Sequence, residues 1–233
     1  MYLLLTLLGV VLTFWWMYFV LQKFLRPPQI PEVRRPFQGR KQWALALAQP
    51  MVEAAGVEGF FEVTTDGLTK ETRARLRTAF LHYMEFRANA SDEEIRQRLK
   101  ATLETAWFRA DLRNLQPTDD PAAALAFACV RMAFFVRNAT LLGWIDATTA
   151  WRVLLLNAQR AQDCFTGWAH FARAYCAGRQ QWISAYRADL LGGNFTRTDV
   201  QRYRDTPASL WFNLPWPGQP AFSLERRSPH SIS

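Results

Sequence analysis

From Met1 to Gln22 the chain carries no charge, and Leu3, Leu7, Val10, Phe14, Trp15 and Val20 put apolar groups on every face of a helix. At about 1.5 Å per residue such a run crosses the ~30 Å hydrocarbon layer of a bilayer. Core helices of globular domains rarely run this long without a polar face, so the pattern predicts a transmembrane helix over residues 1–22. Pro27, Pro28, Pro31 and Pro36 then break helical structure and make residues 23–40 a stiff, extended spacer.

Helical periodicity dominates a single domain over residues 41–216. Residues 41–55 are rich in Ala and Leu and are divided by Pro50. Gly56, Gly59 and Gly67 flank Phe60-Phe61-Glu62-Val63, which leaves room for a small β-hairpin near residues 57–66. Within residues 69–87, Leu76, Phe80, Tyr83 and Met84 recur at helical spacing. Ser91 with Glu94 three residues on forms a capping box, opening a helix with Ile95, Leu99, Leu103, Ala106 and Trp107 on one side. Asp119 or Asp120 caps the next helix, with Pro121 in its first turn. Apolar groups from Leu125 to Val136 cover most of its circumference, which marks it as the central helix, and Gly143 ends it.

Asp146 starts another helix, with Trp151, Leu154, Ala158, Ala161 and Phe165 on one seam. After Thr166-Gly167 a last long helix carries Trp168, Phe171, Tyr175, Gly178 and Trp182 at the same alternating spacing. Two such seams across a short link predict an antiparallel helical hairpin. Beyond Gly192-Gly193 the chain is expected to be irregular, with Trp211, Phe212, Leu214 and Trp216 laid back over the bundle and residues 217–233 forming a disordered tail. The fold class is therefore all-α, a helical bundle behind one N-terminal transmembrane helix.

Charge changes the picture in one place. Basic residues outnumber acidic ones by 28 to 20. Lys23, Arg26, Arg34, Arg35, Arg40 and Lys41, however, face Glu32 alone, so most of that excess is local. Nucleic acid is thus not the expected partner, although Arg73, Arg75, Arg77 and Arg87 on the helix within 69–87 keep it as an alternative. Basic residues behind an uncharged run orient the anchor with its N-terminus outside and the domain in the cytoplasm of a bacterial inner membrane. There the spacer either lies against anionic lipid headgroups or serves only as the topology signal. In that reducing compartment Cys129, Cys164 and Cys176, which show no CxxC spacing, read as free thiols rather than a disulfide framework or zinc module. The sequons at Asn89, Asn138 and Asn194 fall on the wrong side of the membrane for glycosylation.

No Gly-rich phosphate loop, HExxH, GxSxG or Asp-rich metal motif occurs, so no catalytic residue, metal or cofactor is assigned. His82 near Glu85 reads as a surface pair, and His170 as a packing group beside the seam. Trp168, Tyr175, Gly178, Arg179 and Trp182 form the most informative cluster. Mid-helix glycine costs about 1 kcal/mol relative to alanine, so at a seam position it implies another backbone packed closely against it. Arg131, on the apolar central helix, is a second charge that needs a partner. Arg131 and Arg179 either line an aromatic-walled anion site or pair with acids such as Asp146 or Asp163 and lock the bundle, the arrangement expected here.

Gly143-Trp144-Ile145, Ala150-Trp151, Trp168, Tyr175, Gly178-Arg179 and Trp182 together resemble the bacterial domain-of-unknown-function 1266 family, whose members share a Gly-aromatic turn, an Ala-Trp pair and a closing Gly-Arg-x-x-Trp. Leu214-Pro215-Trp216 is similar to that family's Trp-rich ending. The resemblance covers about residues 119–216 and leaves the anchor and the charged helices before it outside. Where relatives have Ser before the first Trp of the last helix this chain has Gly167, so a hydroxyl cap there must come from Thr166. The resemblance implies a bacterial helical domain and supplies no reaction.

These residues predict a membrane-anchored cytoplasmic module that works by binding a protein, as an accessory component of an envelope or secretion assembly. One alternative is an immunity-type protein that neutralises a toxin near the membrane. Another is an anchored enzyme acting on an anionic substrate through an Arg/Trp-lined pocket. The candidate partner-binding residues are Arg131, Trp144, Trp151, Trp168, Tyr175, Gly178, Arg179 and Trp182.

Overall fold

The helices begin where the sequence offers their first turns a partner for otherwise unpaired backbone N–H groups, or a proline that has none. The computed structural model describes residues 36–57, 59–62, 69–83, 86–103, 115–186 and 196–217. The helix expected at 1–22, the spacer up to residue 35, Met84, Glu85, Ala106, Trp107 and the tail beyond residue 217 lie outside them. Helix α1 (Pro36–Ala46) starts on a proline, so residues 36–40, expected in the extended spacer, instead form its first turn. Proline is tolerated there because its missing N–H would have had no partner. Pro50 plays the same part in α2 (Gln49–Ala55), which Gly56 ends in a left-handed conformation.

In α3 (Lys70–Tyr83) the Thr69 hydroxyl accepts the Thr72 N–H at 3.2 Å. In α4 (Asp92–Thr102) the Ser91 hydroxyl accepts that of Glu94 at 3.2 Å, while the Glu94 carboxylate pairs with Arg87 at 3.4 Å. Of the two candidate caps for α5 (Pro121–Leu141), Asp120 takes the Ala122 N–H at 2.9 Å, and Asp119 shapes the turn before it by accepting from Gln116 at 2.8 Å. Asp146 opens α6 (Ala147–Cys164) by accepting the Thr149 N–H at 2.9 Å, and that bond holds its carboxyl below the usual range. After α7 (Trp168–Tyr186) come two helices where irregular chain was expected. They are α8 (Arg197–Asp205), whose start is fastened by the Thr196 N–H and hydroxyl on Asp199, each at 2.8 Å, and α9 (Leu210–Asn213). Among the described side chains of α8 only Val200 and Tyr203 are buried, which is too little apolar periodicity to betray a helix in the sequence.

Helix α5 organises the domain: all of it except Pro121, Ala122 and Arg131 is buried. Among the described residues it is the one helix long and apolar enough to cross a membrane, yet 89% of its most apolar window is buried by the surrounding protein. Helices α6 and α7 both pack on α5, together with α1 and α2, and make only slight contact with each other. The expected α6–α7 hairpin with facing seams is therefore corrected. A helix apolar on all sides needs covers on all sides, and α6 and α7 serve as two of them rather than as covers for each other.

Arg73 of α3 donates to the Leu142 carbonyl at 3.2 Å and Arg96 of α4 to that of Gly143 at 3.1 Å, placing two cations at the negative end of α5. Arg75 and Arg77 likewise donate to the carbonyls of Gly56, at 3.0 Å, and Ala90, at 2.6 Å. The basic cast of α3 is thus used to fasten loops to the bundle.

Two contacts on α5 set how its covers sit. A Cβ added to Gly178 would lie 2.0 Å from the Ala123 carbonyl oxygen and 3.0 Å from the Phe127 Cβ, so α7 rests on α5 backbone to side chain-free backbone. Arg137, only 1% exposed, donates through Nε to the Phe60 carbonyl at 3.0 Å and through a terminal nitrogen to that of Glu62. Burial lowers its pKa, with the Glu62 carboxylate pulling the other way. Residues 59–62 form a turn closed by Glu62 N–H on the Gly59 carbonyl at 3.2 Å, and no strand forms among the described residues. The hairpin considered near 57–66 is absent from this described part because a guanidinium takes the carbonyls that a strand ladder would need.

Gly178→Ala should lower stability by about 1–3 kcal/mol although it improves intrinsic helix propensity, because the new methyl meets backbone rather than a movable side chain. Urea denaturation checks this, and a midpoint equal to or above wild type would show that α7 is not seated on Ala123. Arg137→Met should cost roughly 1–3 kcal/mol by leaving the Phe60 and Glu62 carbonyls without their donor. Proteolysis would then concentrate at residues 59–62, and a cleavage pattern like that of wild type would count against the clamp.

Candidate functional site

Residues 127, 131 and 135 lie at successive four-residue steps of α5 and share one stripe. Arg131 in the middle of that stripe lays its guanidinium over the indole of Trp182 at 4.4 Å, with the rings of Phe127 and Phe135 each at 5.5 Å. Phe127 in turn lies 5.9 Å from Tyr175 and 5.7 Å from Trp182, centroid to centroid. Gly178 makes this arrangement accessible to α7, because only a residue without a side chain lets Tyr175 and Trp182 reach either side of Phe127 at such close helix approach. Tyr175 is fully buried, whereas Arg131, Arg179 and Trp182 are half-buried.

Four of the predicted site residues, Arg131, Tyr175, Gly178 and Trp182, are thus brought to one place, with Arg179 next to Gly178 on the same helix. The other three are set apart. Trp144 is buried beyond the end of α5, beneath the Arg77 guanidinium at 5.7 Å. Trp151 lies on α6 under Lys41 at 4.6 Å. Trp168 belongs to a separate tryptophan cluster. Of the acids considered as partners, Asp146 caps α6, and Asp163 accepts from Gln159 at 2.8 Å.

Trp211, Leu214 and Trp216 lie back over the bundle as expected, whereas Phe212 is exposed, and which tryptophans they join in this cluster had no local signature in the sequence. Trp168 stacks on Trp211 at 5.1 Å and meets Trp43 at 5.0 Å and Trp216 at 4.8 Å. Each indole N–H finds a carbonyl: Trp43 on Pro215 at 3.2 Å, Trp168 on Leu214 at 2.6 Å, Trp211 on Ala46 at 2.8 Å and Trp216 on Phe165 at 2.9 Å. Beside it buried Gln49 and Ser209 bond to each other, and Glu53 accepts from Tyr203 at 2.6 Å and Arg202 at 3.2 Å. Burial, and then the Glu53 carboxylate, push the Tyr203 hydroxyl well above the ordinary tyrosine range. These groups are occupied in joining the N-terminal and C-terminal helices of the domain.

Chemically, a guanidinium on an indole face keeps its N–H edges available to planar acceptors while the ring stack limits its freedom. Partly exposed Trp and Arg are also the residue types that dominate protein interfaces. The cavity between α3, α4 and α5 is walled by apolar side chains alone, Phe80, Leu99, Phe135 and Ile145 among them, and offers nothing to orient a polar ligand. Among the described residues no three potential ligands gather for a metal ion. The cysteines form no disulfide, and burial pushes the Cys164 thiol up.

A double-mutant cycle of Arg131→Gln and Trp182→Leu should return a coupling of about 0.5–2 kcal/mol from the stack, measured by chemical denaturation. Additivity within error would show that the two side chains do not meet in solution.

Comparison with known proteins adds to the geometry. No curated protein and no solved structure matches the chain. Residues 53–216 match a family described as a protein of unknown function, DUF1266. The match begins well before the stretch whose motifs carry the resemblance, and it takes in α3 and α4, which were expected to lie outside. Their inclusion accords with Arg73 and Arg96, which complete the C-terminal end of α5. Because the match spans most of its length, this chain belongs to the DUF1266 family of proteins of unknown function.

Proposed function

We propose that the chain is a bacterial, membrane-anchored helical module that captures a protein partner through the Arg131–Trp182 patch on α5 and α7, as an accessory component of an envelope or secretion assembly. The observation that carries this reading is the half-buried stack of Arg131 on Trp182 beside Phe127, an aromatic and cationic surface held by a helix contact too close to admit a Cβ at Gly178. The apolar run of residues 1–22, followed by basic residues, supports a tether with the domain on the cytoplasmic side. Trp151 and Trp168 support the fold around the patch, through Lys41 and through the tryptophan cluster.

The test is co-purification of the full chain from detergent-solubilised membranes after brief cross-linking. Wild type should partition with the membrane fraction and bring down a defined partner. Trp182→Ala and Arg131→Gln should each reduce its recovery at least fivefold, with the melting temperature kept within a few degrees, since both side chains are only half-buried. Recovery in the soluble fraction would overturn the anchor. Undiminished partner recovery by both variants would overturn the patch.

A further inference from the structure

Residues 206–217, with α9, lie back on the domain as a strap, and three consecutive residues of it are pinned. The Leu214 carbonyl accepts from Trp168 at 2.6 Å, the Pro215 carbonyl from Trp43 at 3.2 Å, and the Trp216 indole donates to the Phe165 carbonyl at 2.9 Å. Two of these three pins, those of Leu214 and Trp216, are rooted in the 165–168 turn that joins α6 to α7. That turn is held by His170. The Thr166 N–H donates to its Nδ1 at 3.3 Å, the Thr166 hydroxyl lies 3.2 Å from the same nitrogen, and the imidazole packs edge-on against Phe165 at 5.2 Å. His170 is the third residue of α7, where a capping-box glutamate would reach back to a free N–H at the helix start. An imidazole does this only while Nδ1 is unprotonated and the ring proton sits on Nε2.

We propose that His170 is a pH-sensitive pin of the C-terminal strap: protonation at Nδ1 removes the acceptor for Thr166, loosens the 165–168 turn and releases residues 214–216, uncovering Trp43 and Trp168. The charges around the ring agree with this direction. Burial and Arg173, one turn on in α7, disfavour the imidazolium, and Asp120 at the start of α5 opposes them, leaving the His170 pKa below its ordinary value. At the end of α6, Asp163 is engaged by Gln159 and the Cys164 thiol is kept neutral by burial, while residues 165–168 and 214–217 contain no titratable side chain. A cation at this position would also oppose the positive end of α7. The pinned state holds histidine at a lowered pKa and the released state at its ordinary one. Pinning is therefore complete above about pH 6.5 and weakens as pH falls below it, the released-to-pinned ratio rising by at most about tenfold per pH unit.

The experiment uses the full chain in detergent, labelled with 5-fluorotryptophan and followed by fluorine NMR from pH 7.5 to 5, with Trp216→Phe identifying the Trp216 resonance. Wild type should move from a buried to a solvent-exposed Trp216 shift with a midpoint below pH 6.5. His170→Asn, whose Oδ1 accepts at every pH in this range, should hold the buried shift throughout. An unmoved wild-type resonance, or the same transition surviving in His170→Asn, would overturn the pin. In wild type alone, the Trp216 midpoint has to coincide with the titration of a histidine ring. Midpoints separated by more than about half a pH unit would equally overturn it, whether or not the variant folds.

Discussion

A helix that is apolar around its whole circumference must be covered around its whole circumference, and that constraint shapes this domain. From Ala123 to Leu141 helix α5 buries every residue except Arg131. Helices α1, α2, α6 and α7 are its covers, and α3 and α4 finish its C-terminal end with arginines on the last carbonyls. Covering one cylinder with several others brings helices close, and at Gly178 the approach is close enough that a single methyl group would collide with the α5 backbone. The absence of a side chain at one position thus sets where a whole helix lies.

The same enclosure decides what polar groups do. Several interior donors are satisfied by main-chain carbonyls: Arg137 on Phe60 and Glu62, Asn157 on Cys129 at 2.8 Å, Asn138 on Phe134 at 2.8 Å, and four indoles on four loop or helix-end carbonyls. All but the Asn138 bond, which stays within α5, join segments that the helical pattern alone leaves unrelated, which gives loops and termini a defined place. Asn138, one of the sequon asparagines, is fully buried by this logic and has no exposed amide to modify.

Arg131 differs from Arg137 through position on the same helix. Six residues apart on α5, Arg137 points into the packed turn at residues 59–62 and is buried, whereas Arg131 emerges at the α7 edge and rests on Trp182. The buried guanidinium ties a loop to the helix, and the half-buried one lies against aromatic rings at the surface. Location relative to the covers, not residue type, separates the two environments.

The helix starts at Ser91, Asp120 and Asp146, the central rank of α5, the family motifs and the close backbone contact at Gly178 were legible in the sequence, because caps and 3.6-residue periodicity are written locally and mid-helix glycine has a local cost. Helices α8 and α9 were not, since α8 shows only two inward residues. The facing of α6 and α7 was misjudged because a seam announces that something packs on it and not what does. The sequence also marked Arg131 and Arg179 while passing over Arg137, whose neighbours in the chain look no different. Which tryptophans join the cluster of Trp43, Trp168, Trp211 and Trp216, and which instead meet a cation, depends on contacts between residues up to 172 positions apart. Such contacts exist only once the covers of α5 have closed around it. Local hydrogen bonds and periodicity determined the helices, and the burial of one apolar cylinder decided their neighbours.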